Sequence, residues 1–148
     1  MVKKALVAMD GSEHSLKAVE LASDLAIKFD VELYLLHVIN KIKIPQEFAR
    51  YVETEKIEEP AEYLLFEKAG NNMLKEAEKI ARAKGVKTVH CVVEEGDPAT
   101  KILEFARHNS IDSIFLGSRG MGDLKGLLMG SVSTKVCNLA ECTCVTVK

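Results

Sequence analysis

Residues 111–136 read IDSIFLGSRGMGDLKGLLMGSVSTKV, an apolar strand-like run, a glycine-rich stretch whose five glycines begin at Gly117, and then a helix-like segment. The run Ile111–Ser118 has the length and composition of a buried strand. Beyond the glycines, Val132, Val136 and Leu139 recur at helical spacing. A strand joined to a helix in this way is typical of one unit of an α/β fold.

The same alternation of strand-like and helix-like segments continues through the rest of the chain. Asp10-Gly11-Ser12 ends an apolar run and offers a helix cap, and Asp97-Pro98 opens another helix with proline at a tolerated position. Alternating strands and helices form parallel β-α-β units, and nearly continuous apolar strands suit a sheet covered on both faces. We therefore predict an α/β fold, a doubly wound, five-stranded parallel sheet with helices on both faces. The predicted strands are Lys3–Met9, Val31–Ile39, Val86–Glu94, Ile111–Ser118 and Cys142–Val147.

One segment departs from this alternation. Asn40–Leu65 contains two prolines and the charged run Glu53–Glu59, and it is interpreted as an irregular or short-helical insertion. A helix follows it and runs to about Lys84. Gly70-Asn71-Asn72 is a candidate for a break in that helix.

Length and charge limit the class of protein. The chain has 148 residues, with 20 Lys and Arg against 22 Asp and Glu and a net charge of -2, which gives no support for nucleic-acid binding. No apolar run reaches the ~20 residues of a membrane helix, and the apolar opening is too short for a signal peptide. We expect one cytoplasmic domain over residues 1–148, with neither nucleic acid nor membrane as a partner.

The four cysteines have no CxxC spacing, and the histidines are scattered without zinc-ligand spacing. Small buried hydrophobic residues are the favoured interpretation. Cys142 and Cys144 would share one face of a strand, so a redox or intersubunit role is the alternative.

The glycine-rich stretch is the strongest candidate for a binding site. Glycine lets the backbone approach an anion, and Ser131-Val132-Ser133 would place free amides and two hydroxyls at a helix start. Arg119 would add charge there, although an exposed arginine is as easily solvated. The stretch is neither a Walker A loop nor a dinucleotide GxGxxG. Phosphate binding is favoured over a plain linker.

Two polar residues at other strand ends have two interpretations each. Asp10 would contact a ligand or cap the turn that follows it, and ligand contact is favoured because the glycine stretch lies at a neighbouring strand end. His37 would be a general base or, more commonly for an apolar strand, a core histidine with its hydrogen bonds satisfied. No residue is predicted to be catalytic, since Ser118 and Ser131 lack the GxSxG context of a hydrolase.

The spacing Gly-x2-Gly-x9-Gly-Ser resembles the nucleotide loop of the universal stress protein family. It is formed here by Gly117, Gly120, Gly130 and Ser131. Asp10 and His37-Val38 also match that family's layout, and the resemblance covers essentially the whole chain. It implies a Rossmann-like fold with a strand order of 3-2-1-4-5 and a homodimer that pairs through the fifth strand, Cys142–Val147.

The resemblance also implies a ligand, ATP, and a role for each matching residue. Asp10 would meet the ribose or a bound metal, Ala8 and Met9 would line the adenine pocket, and Val38 would offer backbone groups to adenine. Mg²⁺ or Mn²⁺ bridging the phosphates is compatible with this layout, although no residue demands it. The residues that would hold the phosphates are Gly117, Gly120, Gly130, Ser131, Val132 and Ser133.

Three functions remain in competition. The first is a dimeric ATP-binding module of the stress response or of signalling. The second is a slow, metal-dependent ATPase or nucleotide hydrolase in the same pocket, which ranks lower because no convincing general base is present. The third is a dimeric interaction protein without nucleotide, which ranks last because the glycine loop is intact.

Overall fold

The computed structural model describes residues 1–40, 61–119 and 129–148. Five strands and four helices alternate within these ranges, and no helix there combines the length and apolar character that a membrane span requires. The elements are β1 (Lys4–Met9), α1 (Glu13–Phe29), β2 (Glu32–Ile39), α2 (Ala61–Lys84), β3 (Val89–Glu95), α3 (Pro98–His108), β4 (Ser113–Gly117), α4 (Ser131–Leu139) and β5 (Thr143–Val147).

All five strands are parallel and lie in the order β3-β2-β1-β4-β5, which confirms the predicted sheet. The side chains of β1 alternate between two cores. Val7 packs with residues of α1 and α2 on one face, and Leu6 packs with residues of α3 and α4 on the other. The sheet is therefore doubly wound, with β1 at its centre.

Helix α2 is longer and more regular than predicted. It continues without interruption through Gly70-Asn71-Asn72, so the expected break there is wrong. Gly70 is buried against the sheet while the two asparagines point to solvent, and this placement suits each residue to a continuous helix. Residues 41–60 of the predicted insertion lie outside the described residues. Residues 61–65, expected to belong to the irregular or short-helical insertion, already form the first turn of α2, so the predicted end of the insertion at Leu65 is wrong.

Candidate functional site

The candidate site lies at the carboxyl edge of the sheet, between β1 and β4. The strand order reverses here, because the chain continues from β1 to β2 and β3 on one side and from β4 to β5 on the other. Helix α1 leaves β1 toward one face, and α4 leaves β4 toward the opposite face. Crevices at such points are the usual ligand sites of open α/β sheets.

The end of β1 carries an exposed carboxylate on a tight turn. Asp10 Oδ1 accepts a hydrogen bond of 2.9 Å from the Ser12 amide, so the turn-capping interpretation of Asp10 is confirmed. Ser12 in turn caps α1, since its Oγ accepts the Ser15 amide at 3.2 Å. Gly11 has a φ of 82°, a conformation that glycine adopts at little steric cost because it has no side chain. The Asp10 carboxylate is therefore held at the crevice by the backbone amide of Ser12.

The predicted adenine-pocket residues lie on two faces of the sheet. Ala8 and Val38 are half-buried on the face that α3 and α4 cover, whereas the Met9 side chain is buried with α1 and α2. Met9 can therefore present only its backbone to the other face. Its carbonyl lies 2.8 Å from Nδ1 of His37, so this histidine has the expected hydrogen-bond partner, but its side chain is half-buried and lies outside both core clusters.

The end of β4 is tied to three other elements through Ser118. The Ser118 amide donates to the Val147 carbonyl of β5 at 2.7 Å, and its carbonyl accepts the Gly130 amide at 2.6 Å. Its Oγ lies 3.1 Å from His14 Nδ1 on α1. The next carbonyl, that of Arg119, is 3.4 Å from Ser12 Oγ. The loops after β1 and β4 are therefore joined directly.

Gly117 is required by packing within the protein. A Cβ at this position would lie 2.8 Å from His14 Cβ and 2.9 Å from the Ser15 amide nitrogen. Because the second of these atoms belongs to the backbone of α1, it could not move aside cheaply. The absence of a side chain at Gly117 lets the first turn of α1 lie against the end of β4.

Helix α4 begins at the crevice without a side-chain cap. Its N-cap residue is Gly130, with extended dihedral angles, and within residues 1–40, 61–119 and 129–148 no side chain caps the helix by a hydrogen bond. By contrast, Ser12 caps α1 and Asp97 caps α3. The first amides of α4 therefore remain available, with the positive end of the helix dipole, for an anion.

The two predicted phosphate-binding hydroxyls of α4 differ in their surroundings. Ser133 is buried, and its Oγ donates a 2.6 Å hydrogen bond to the Gly117 carbonyl. Ser131 is exposed at the first position of the helix. Ser133 thus offers only its amide to a ligand, while Ser131 offers an amide and a hydroxyl. Gly120, predicted to hold phosphate, lies outside the described residues.

One polar residue of the site was missed by the sequence analysis. His14 lies half-buried on the first turn of α1 and contacts Ser118. The signal that could have found it is its position four residues after Asp10, directly behind the turn that opens the crevice. No periodicity marks it, because its partner lies 104 residues away.

The cysteines were expected to be small buried hydrophobic residues, and this is wrong for Cys91, which is exposed, while the other three are half-buried. Cys137, Cys142 and Cys144 pack against the core beneath α3 and α4, which confirms a shared face for Cys142 and Cys144. Burial raises the pKa of Cys144 to about 12 and raises that of Cys142 as well, so both remain thiols at neutral pH. Among the described residues, no group of three or more His, Cys, Asp or Glu side chains could hold a metal ion.

Solved structures with this architecture include hypothetical protein MJ0577, determined for a structure-based assignment of its biochemical function. It has 29% sequence identity and a TM-score of 0.80, covering 100% of this chain and 96% of that one. A universal stress protein in complex with cAMP has 23% identity and a TM-score of 0.70, over 99% of this chain and 96% of that one. A universal stress protein family protein of Arabidopsis thaliana with AMP bound has 22% identity and a TM-score of 0.66, over 99% of this chain and 91% of that one.

Sequence comparison covers the whole chain. Universal stress protein YxiE of Bacillus subtilis is 35% identical over 159 residues, which span 100% of both chains. Universal stress protein MJ0531 of Methanocaldococcus jannaschii is 33% identical over 151 residues, which span 100% of this chain and 83% of that protein. The model of the universal stress protein family matches residues 1–148. This chain belongs to the universal stress protein family.

Proposed function

We propose that this protein binds ATP at the carboxyl edge of the sheet, between β1 and β4, and acts as a nucleotide-dependent module in the stress response or in signalling. The observation that carries the proposal is the uncapped start of α4, which opens directly beyond β4. Backbone amides and a helix dipole at such a position bind phosphate well. Two of the proteins that share this fold hold adenine nucleotides, cAMP in one and AMP in the other, which supports the ligand class.

In this proposal the nucleotide extends along the crevice from β2 to α4. Adenine lies by Ala8 and Val38, which share one face of the sheet. The amides at the start of α4 bind the phosphates, together with the exposed hydroxyl of Ser131. ATP is favoured over shorter nucleotides because the glycine spacing around Gly130 matches the family's nucleotide loop in full.

A divalent cation fits Asp10 only if the phosphates supply most of its ligands. Oδ1 of Asp10 already accepts the Ser12 amide, so one carboxylate oxygen remains for the metal. Mg²⁺ is commonly bound by one or two carboxylates together with substrate phosphates, and Mn²⁺ would bind the same oxygen ligands.

If Asp10 holds such a cation, Asp10→Asn should weaken ATP binding only when metal is present. If Asp10 instead contacts the ribose, the same variant should weaken ATP and ADP alike, with or without metal. Equal affinity of wild type and variant under every condition would exclude both roles.

The proposed module is a homodimer that pairs through β5. This strand is an edge of the sheet, hydrogen-bonded to β4 on one side only among the described residues. An unpaired edge presents a row of amides and carbonyls that a second copy of the strand can satisfy.

The test compares ATP binding by wild type and by two matched variants of the α4 start. Gly130 has φ -71° and ψ 164°, which valine adopts readily, so Gly130→Val should fold. Its side chain should block the phosphates and abolish ATP binding in calorimetry. Thr134→Val introduces the same side chain one turn later, on the exposed face, and should bind ATP normally. Unchanged affinity in a folded Gly130→Val protein would contradict the site.

Two measurements distinguish the binding module from the competing ATPase. They are mass spectrometry of the nucleotide that copurifies with the protein and a long incubation of the protein with ATP. Intact ATP without turnover would support the binding module. ADP with metal-dependent turnover would favour the enzyme. A protein that is empty and also fails to bind added ATP would contradict both.

A further inference from the structure

His14 and Ser118 form a polar pair at the crevice that the proposed ATP contacts do not use. His14 Nδ1 lies 3.1 Å from Ser118 Oγ, and the two residues join α1 to the end of β4. The Cβ of His14 rests against Gly117, with too little space between them for a second Cβ. The base of the His14 side chain is therefore fixed against the strand.

Ser118 is held rigidly enough to orient the imidazole. Its side chain is 1% exposed, and its amide and carbonyl are hydrogen-bonded to Val147 and Gly130 respectively. A buried hydroxyl that loses its donor bond pays a desolvation cost of about 1–3 kcal/mol. Among the described residues, His14 Nδ1 is the only partner of Ser118 Oγ, so the buried hydroxyl keeps a donor bond there only if it donates to Nδ1.

This arrangement decides which imidazole nitrogen carries the proton. A neutral imidazole that accepts at Nδ1 must carry its hydrogen on Nε2. Nε2 has no hydrogen-bond partner in the described part of the chain, and His14 is only half-buried. In this tautomer the half-buried ring offers an N–H donor, and the ring itself is held beside Gly117 and Ser118, whose carbonyls accept hydrogen bonds from Ser133 Oγ and from the Gly130 amide at the start of α4.

We infer that His14 is a specificity-determining residue that donates from Nε2 to the phosphate chain and favours nucleotides with more phosphates. Ser118 is a positioning residue that fixes its tautomer. The inference rests on the proposed ATP site. Hydrogen bonds to a charged phosphate are roughly twice as strong as neutral ones, so the contact should discriminate among ligands by phosphate number.

The test is calorimetric titration of ATP, ADP, AMP and adenosine into wild type and four variants. His14→Ala should weaken the affinity for ATP roughly 10-fold to 100-fold and leave the affinity for adenosine within about twofold of wild type. His14→Gln keeps an N–H donor at nearly the same reach and should recover most of the ATP affinity. Ser118→Ala leaves the imidazole in place but frees its tautomer, so its loss should be intermediate. His108→Ala removes an exposed histidine at the end of α3 and should match wild type.

The outcomes separate this inference from the proposed function. Wild type that binds none of the four ligands overturns both. Wild type that binds ATP, together with a folded His14→Ala protein of equal ATP affinity, overturns only the role of His14. A loss of equal size for ATP and adenosine also overturns it, because a merely structural role would not depend on phosphate number. Urea denaturation without ligand confirms that each variant is folded.

Discussion

Replacing Gly70 with alanine should destabilise the protein, although the same change stabilises an ordinary exposed helix by about 1 kcal/mol. Gly70 lies inside α2 and is buried against β2. An alanine Cβ there would stand 2.6 Å from Cδ2 of His37. That is ~1 Å short of the ~3.5–4.0 Å at which two carbon atoms make favourable contact.

The size of the effect follows from what the His37 ring would lose by moving. A ring shifted by ~1 Å would break or badly stretch the 2.8 Å hydrogen bond between Nδ1 and the Met9 carbonyl, a bond worth about 1 kcal/mol. Overpacking of a fixed core typically costs a further 1–3 kcal/mol. After the gain in helix propensity is subtracted, Gly70→Ala should lower the free energy of unfolding by roughly 1–3 kcal/mol.

The assay is urea denaturation of wild type, Gly70→Ala, His37→Ala and the double variant. Once the ring is removed, Gly70→Ala should change sign and stabilise the protein by up to about 1 kcal/mol. Asn71→Ala, at the exposed neighbour on the same helix, should stabilise in both backgrounds and serves as the propensity control. A Gly70→Ala protein more stable than wild type, or a coupling energy under about 0.5 kcal/mol, would refute the reasoning.

Three further predictions concern the cap of α1, the amino edge of the sheet and its free strand. Ser12→Ala removes the α1 cap and should cost about 1 kcal/mol in urea denaturation; an unchanged midpoint would contradict the capping role. The amides of Lys3 and Lys4 donate to Asp112 and lower the pKa of its carboxyl. The ionised carboxyl therefore stabilises the folded protein fully above the unfolded Asp pKa of about 3.9, and this stabilisation is lost as the pH falls through the lowered pKa of the folded state. Asp112→Asn should therefore be clearly less stable than wild type at pH 7, and the difference should shrink by pH 2; a constant difference would contradict this. Thr146→Pro should convert a dimer to a monomer in sedimentation, because the Thr146 amide faces the free edge of β5; a dimeric variant would exclude pairing through this edge.

The sequence predicted every strand, but all five predicted starts came one to three residues too early, three of them for the same physical reason. Each preceding helix ends in a residue with positive φ, and the buried apolar residue after it donates its amide to the carbonyl five positions back, as in a Schellman motif. The apolar residue belongs to the helix cap, yet its composition is that of a strand. The three pairs are Asp30-Val31, Gly85-Val86 and Ser110-Ile111.

The glycines of the site show where sequence reasoning stops. Gly117 was predicted to let the backbone approach a phosphate, whereas the structure shows that it admits the first turn of α1. Both demands exclude a side chain, so the residue type alone cannot separate them. Only the long-range contact with His14 does, and no local pattern encodes a contact across 103 residues.

The hydrogen bonds of Ser118 fall into two groups, those of its backbone and that of its hydroxyl, and one substitution can separate them. Its amide and carbonyl hold β5 and the start of α4, and any residue could supply those bonds. Its hydroxyl alone reaches His14, and that bond requires a donor on a short side chain. Ser118→Ala should therefore keep the crevice assembled while releasing the imidazole. The contribution of the backbone to the site and that of the side chain can thus be measured one at a time, at a single position.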